Sequence, residues 1–364
     1  MSTLLGELKT SIAKNKRNNH ENNWDYHRFG TYQAPSGLDL IKDYIKKVLA
    51  WFGLYKLENF RLMQANSENL EWLFNKLIDN ESKQLLIDLL SFRVMGHKNI
   101  KLPLNDEQYW QKLEELDQIA DKQETIDLGF LGWVLNKYVL TIDDYEYKLF
   151  ARAPAVHTQL ILQQYRCALS SHNIEVEPGD IVIDAGACYG DTALYFANKT
   201  GPEGSVYSFE FMPENIDVFE QNLLLNPQLS SRINIVKNPL WSTSGMKLFV
   251  EGTGPASHIT TEPSDPNSTV VETLCIDDLV AQMQLEKVNF IKMDIEGVEL
   301  EALKGAQDTI MKYKPKLAIS VYHNLIDYWT IPQWIDSLGL GYQFSMRHFT
   351  IHAEETILFA RVED

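Results

Sequence analysis

The stretch IVIDAGACYGDTALYF, Ile181 to Phe196, decides the fold: an apolar, β-branched run ends in an acid, enters a glycine-containing turn and becomes a helix-like pattern. After the turn signal Pro178-Gly179, short apolar strands alternate with helices to the end of the chain. The strand candidates are DIVIDAG, SVYSFE, INIVKN, VNFIKMDIEG, PKLAISVYH, GYQFSMRHF and ETILFARV. Helices are expected over 192–198, 213–226, 299–312 and 325–338. This alternation predicts an α/β fold, a doubly wound, mostly parallel seven-stranded sheet of Rossmann-like type, its last two strands forming an antiparallel edge hairpin. GMKLFVEG reads as an inserted strand.

Upstream, apolar residues recur at helical spacing from Gly37 to about Gly96. Leu70, Leu73, Phe74, Leu77 and Ile78 make one stripe; Leu85, Leu86, Leu89 and Leu90 make another. Asn105 with Gln108 predicts a capping box for the helix carrying Trp110, Leu113 and Leu116. Residues 125–153 suggest a hairpin or extended arm, and HTQLILQQYRCALSSHN a return to helix. The chain thus divides into a mainly helical region, 1–170, covering the cofactor or shaping the acceptor site, and a Rossmann-like domain, 171–364.

Composition bounds the partners. With 33 Lys+Arg against 50 Asp+Glu the formal charge is −17, which disfavours nucleic acid and anionic membrane surfaces. Cys167, Cys188 and Cys275 are widely spaced without a CxxC pair, fitting a reducing compartment. No export signal is legible, apolar runs such as VLAWFGLY fall short of the ~20 residues of a membrane span, and a cytoplasmic protein is expected. Homo-oligomerisation is left open.

In such a sheet the first strand-to-helix turn meets the cofactor. A GxGxxG fingerprint starting at Gly186 needs glycine at 188 and 191, where Cys188 and Asp191 stand, so the pyrophosphate of an NAD-dependent oxidoreductase fits poorly. Asp184, Gly186, Ala187, Gly190 and Asp191 instead suit a ligand bearing an amino group. Glu210 follows Asp184 by 26 residues, where this topology places an acid for both ribose hydroxyls, and Phe211 or Met212 can flank a purine. Amino acid, ribose and purine together describe S-adenosyl-L-methionine.

The segments VIDAGACYGDTALYFA, SFEFMPEN, VETLCIDDL, FIKMDIEGVELEALKGA and LAISVYH resemble, in order, the motifs of the FkbM-type class I methyltransferases, over about residues 171–364. The resemblance implies S-adenosyl-L-methionine-dependent O-methylation, commonly of a hydroxyl on a sugar or natural product. A non-catalytic module that binds the same cofactor is a further alternative.

On the acceptor side, KMDIEGVE places Lys292, Asp294, Glu296 and Glu299 within eight residues. Asp294 and Glu296 are candidate ligands for Mg2+ or for the acceptor directly, while Glu299 suits a helix N-terminus. Removing the proton of the attacking hydroxyl calls for a base. His323 is the first choice, His348 the second, with His352 just beyond. GTGPASHI, Gly252 to Ile259, reads as a connection that could also close over the acceptor.

Overall fold

The computed structural model describes residues 3–30, 58–129, 132–169, 173–252, 258–262 and 269–363. Seven strands form the main sheet: β1 (Ile181–Ala185), β2 (Ser205–Phe209), β3 (Ile233–Val236), β4 (Phe290–Met293), β5 (Lys316–Ser320), β6 (Tyr342–His348) and β7 (Thr356–Val362). Their order is β6-β7-β5-β4-β1-β2-β3. β1 to β5 run parallel, and β7 pairs antiparallel with both β5 and β6. All seven strands read from the sequence are present, as is the edge hairpin.

The sheet is buried on both faces, which explains its near-continuous apolar strands. Alternate residues go to opposite layers. Ile183, Ile291, Ile319 and Leu358 join one core, while Val182, Phe290, Ala318 and Phe359 join the other. Successive strands step outward from β1 in one direction and from β4 in the other. The crevice at the carboxyl ends of these two neighbours is therefore the switch point where such sheets bind ligands.

The amino-terminal helices belong to the first of these cores. Leu70, Leu73, Leu86 and Leu90, from helices Ser67–Lys76 and Asn80–Met95, are fully buried in the same cluster as Phe344 and Met346 of β6. The chain even extends the sheet locally: the Ile78 amide donates to the Phe344 carbonyl at 3.0 Å, and the Met346 amide donates to Ser82 Oγ at 2.8 Å. Leu77 and Ile78 therefore leave the helical stripe, Leu77 bridging to Phe344 and Ile78 being exposed.

On the other face lies an antiparallel arm of three strands, Asp121–Asp127, Val134–Ile142 and Tyr145–Ala151. Asn222 ties it to the turn that follows β1. Its Oδ1 accepts from the Phe150 amide at 2.7 Å, and its Nδ2 donates to the carbonyls of Phe150 at 3.1 Å and Tyr189 at 2.9 Å. The GMKLFVEG segment supplies Lys247–Glu251, which pairs with His258–Thr260 and Val270–Glu272 in a small separate sheet.

Several local expectations are corrected. The helix Glu107–Ile119 is capped by Asp106, whose carboxylate accepts from the Tyr109 amide at 2.9 Å; Asn105 instead accepts from Trp110 Nε1. Among the described residues of the stretch 157–173, helix is confined to a π-helical turn Val156–Ile161. The helix expected over 299–312 breaks into Glu299–Lys304 and Gln307–Tyr313 at Gly305, where a Cβ would lie 2.3 Å from the Trp241 carbonyl oxygen. The stretch VLAWFGLY and residues 253–257 of GTGPASHI lie outside the described residues.

Because the amino-terminal helices and β6 share one core, Phe344→Ala should cost about 3–5 kcal/mol of unfolding free energy, the scale for emptying a buried aromatic site. Denaturant unfolding followed by far-UV dichroism and tryptophan fluorescence should give one shifted transition. Two transitions, with only one shifted, would mean that the helices unfold as a separate unit.

Candidate active site

The turn after β1 is built around one buried ion pair. Asp184 and Lys292 sit side by side on β1 and β4, with Lys292 Nζ 3.0 Å from Asp184 Oδ1, and both side chains are almost wholly buried. Lys292 also donates to the carbonyls of Ala185 at 3.0 Å and Gly186 at 2.5 Å, and lies 5.3 Å from the centroid of the Tyr165 ring. Burial alone would lower the lysine pKa, but Asp184 and Asp294 outweigh it and the pKa is raised. The other Asp184 oxygen accepts from Thr192 Oγ1 at 3.0 Å and Ser208 Oγ at 3.2 Å. Asp184 is thus engaged by protein groups on both oxygens. These contacts hold the end of β1 where the turn begins.

The turn admits no side chain at its two glycines. Gly186 has φ +83°, and a Cβ there would stand 1.9 Å from the Asp294 carbonyl oxygen; Gly190 has φ +81°, and a Cβ there would strike the Phe219 ring at 2.1 Å. Between them Ala187 is buried and Cys188 adopts φ +47°. Burial pushes the Cys188 thiol well above its usual pKa. Helix Asp191–Thr200 starts immediately after; Asp191 is buried, which raises its pKa to about 6, and it accepts from the Thr192 amide at 3.0 Å.

A cleft of about 580 Å³ opens over this turn. Gly186 and Cys188 form one wall, Glu210, Phe211 and Met212 a second, and Asp294, Ile295 and Glu296 a third; Leu240 and Ile259 contribute from β3's exit and the inserted sheet. Glu210 is mostly buried, which raises its pKa, and its Oε1 is fixed by the amides of Phe211 and Met212, both at 2.8 Å. The cleft therefore combines a glycine-containing backbone turn, a fixed carboxylate and apolar side chains.

At its far end four side chains converge. Asp294 accepts from Tyr322 Oη on Oδ1 at 2.9 Å and from Tyr165 Oη on Oδ2 at 3.2 Å. His323 lies beyond β5 with Nδ1 3.0 Å from Glu299 Oε1, and its Nε2 is 3.5 Å from Asp294 Oδ1 and 3.7 Å from Glu296 Oε2. The Nδ1 contact is an ion pair without hydrogen-bond geometry, and Glu299 Oε1 also accepts from the amides of Ile295 at 2.9 Å and Gly297 at 3.4 Å. Burial opposes the charged ring, but Glu299, Asp294 and Glu296 overcome it and raise the His323 pKa to about 10. Glu296, at φ +58° beside Gly297, is raised to about 7 by burial and the neighbouring acids. The acids around His323, the residue that the sequence suggested as base, thus favour its charged form.

The remaining candidates are placed differently. His348 is buried with Nδ1 2.9 Å from Thr356 Oγ1, and burial depresses it to about 3. It makes no hydrogen bond or ion pair with Asp294, Glu296 or His323 among the described residues. His352 points its Nε2 to the Asn23 carbonyl at 3.3 Å. Among the described residues, the group of three potential cation ligands is Asp294, Glu299 and His323, whose ligating atoms lie within 4.8 Å of one another. The tyrosines that hold Asp294 escaped the sequence analysis. Tyr322 adjoins His323 and could have been flagged; nothing around Tyr165 signals its role.

Residues 184–344 match the family profile described as the methyltransferase FkbM domain. Two curated relatives are similar over parts of the chain. The hexuronic acid methyltransferase AglP of Haloferax volcanii is 29% identical over 136 residues, 37% of this chain and 54% of that protein. The methyltransferase sdnD of Sordaria araneosa is 26% identical over 158 residues, 35% of this chain and 60% of that protein. The similarity thus spans little more than half the length of either. The crystal structure of methyltransferase FkbM from Methylobacillus flagellatus superposes with a TM-score of 0.53 at 20% identity, covering 90% of this chain and 71% of that one. That likeness is one of fold. No described helix is long and apolar enough to cross a membrane.

The raised His323 pKa has a stability consequence. A group with a folded pKa of about 10 against an unfolded value near 6.5 stabilises the fold fully below pH ~6.5 and loses that contribution as pH rises towards 10. Unfolding free energies of wild type and His323→Gln measured from pH 6 to 10 should converge with rising pH. A gap that stays constant across that window would mean that the ring is neutral.

Proposed function

Since the chain carries an FkbM-type methyltransferase domain, we propose that it transfers the methyl group of S-adenosyl-L-methionine to a hydroxyl oxygen of a sugar or natural-product acceptor. The observation that carries this reading is the single cleft joining the Gly186 turn, the fixed Glu210 carboxylate and the Asp294 end. Gly186, Ala187 and Gly190 leave backbone free to approach the amino-acid part of the donor, Glu210 suits its ribose hydroxyls, and Phe211 and Met212 its adenine. When bound, the donor supplies an electrophilic methyl group on a sulfonium. The printed name of the Haloferax volcanii relative, a hexuronic acid methyltransferase, supports a sugar acceptor.

The residues at the far end then have distinct tasks. Tyr165 and Tyr322 orient Asp294; Glu299 orients His323 and keeps it charged. An acceptor hydroxyl at Nε2 would meet a fixed positive charge that favours its ionised form, with the Asp294 carboxylate alongside to take the proton. His348, neutral and turned to Thr356, has no part in this arrangement.

Calorimetry with S-adenosylmethionine tests the donor half. Wild type should bind it, and Glu210→Ala should weaken binding by about 1–3 kcal/mol, the scale of hydrogen bonds to a charged group. Equal affinity in a folded Glu210→Ala protein would remove that carboxylate from the site; binding of NADH in place of S-adenosylmethionine would return the reading to an oxidoreductase.

With a competent acceptor, His323→Ala should lower kcat by roughly 10²–10⁴-fold while leaving donor affinity intact. The wild-type rate should fall as pH rises through the histidine's pKa of about 10. A rate that instead climbs through that range would identify the neutral ring as the base. The donor set of Asp294, Glu299 and His323 favours a second reading, a divalent cation such as Mg2+. Turnover undiminished in EDTA supports the imidazolium; turnover lost with donor affinity kept supports the cation.

A further inference from the structure

A second group of polar side chains, outside the cleft described above, lies where the arm, the segment around helix Tyr26–Phe29 and the cofactor turn meet. Arg152, directly after the last arm strand, lies with its guanidinium 3.8 Å from the centroid of the Trp133 ring. It donates to the His27 carbonyl, and no carboxylate stands within ion-pairing distance of it among the described residues. The neighbouring acids are committed elsewhere. Glu355 pairs with Arg28 at 2.5 Å and accepts from Gln164 Nε2 at 2.6 Å, while Asp25 accepts from the Arg28 amide at 3.0 Å and from Tyr109 Oη at 3.4 Å.

Tyr189, in the cofactor turn itself, adds a second donor. Its ring packs with Leu135 and Phe150 of the arm, its side chain is only 7% exposed, and its hydroxyl has no hydrogen-bond partner among the described residues. An orphaned buried hydroxyl and an unpaired, partly buried guanidinium are each costly. A stacked guanidinium keeps its N–H edge free for a planar or tetrahedral oxyanion. The overall charge of −17 repels anions at a distance, so an anionic acceptor needs such a local partner.

We propose that Arg152, with the Tyr189 hydroxyl as a second donor, holds an anionic group of the methyl acceptor: a carboxylate or a phosphate borne by the molecule whose hydroxyl is methylated. The proposal rests on the methyltransferase reading, because it takes Tyr189 to adjoin the bound donor. Burial and the nearby Arg28 lower the Arg152 pKa to about 10, so the guanidinium remains charged at neutral pH, and a bound anion would restore the pairing it lacks.

The test is calorimetry on the full chain saturated with S-adenosylhomocysteine, titrated with glucuronate, glucose 6-phosphate and glucose. At least one anionic sugar should bind about tenfold or more tightly than glucose, the equivalent of one charge-assisted hydrogen bond, and whichever binds better distinguishes carboxylate from phosphate. Arg152→Gln should bring that ratio near unity while S-adenosylhomocysteine still binds. Equal binding of all three sugars, or an undiminished ratio in Arg152→Gln, would overturn the proposal. Should Arg152→Gln fail to fold, Tyr189→Phe decides: the ratio should drop severalfold, and an unchanged ratio overturns the proposal. Failure of the wild type to bind S-adenosylhomocysteine would sink the donor reading instead, so the two failures are distinguishable.

Discussion

The buried pair of Lys292 and Asp184 is the constraint on which the site depends. It joins the carboxyl ends of β1 and β4, the two strands that flank the switch point, and Lys292 further binds two carbonyls of the turn that follows β1. Two charges taken out of water cost more than a hydrophobic pair of the same shape, so their presence in a central sheet is not explained by stability alone. The gain is position. The pair fixes Gly186 against the Asp294 carbonyl and so sets the distance between the floor of the cleft and the acceptor end.

From that anchor the polar residues extend without a break. Asp184 and Lys292 are closed to water, Asp294 is held by two tyrosines, and His323 lies against Asp294, the buried Glu299 and the more exposed Glu296. Four acids around one imidazole and one ammonium leave a surplus of negative charge, which raises the pKa of both His323 and Glu296. The helical half participates through Arg93, which donates to the Tyr322 carbonyl, so the region of the chain without a recognisable motif still positions a residue of the site.

The carboxyl-terminal half was legible because its physics is local. Apolar runs bounded by turn residues identify strands such as IVIDA and FIKM, and the positions of Gly186 and Glu210 follow from topology. What was not legible depends on partners far away in sequence. The pairing of Asp184 with Lys292, and the placing of Glu299 and Glu296 around His323, are set by the sheet and by the turn after β4, not by the residues next to Asp184 or His323 in sequence. The shared core of the amino-terminal helices with β6 lies in the same class, since a helical stripe does not say what it faces. The helix cap at Asp106 rather than Asn105 is instead a local contact that either residue type could have made.

Affinity for S-adenosylmethionine in Lys292→Met tests the organising role of the pair most directly. Leaving Asp184 buried without its partner should cost about 3–5 kcal/mol. If the pair sets the turn, a Lys292→Met protein that remains folded by far-UV dichroism should lose most of its donor affinity, and a compensating Asp184→Leu substitution should restore stability without restoring binding. Wild-type affinity in Lys292→Met would contradict the account, because the turn would then hold its shape without the strap.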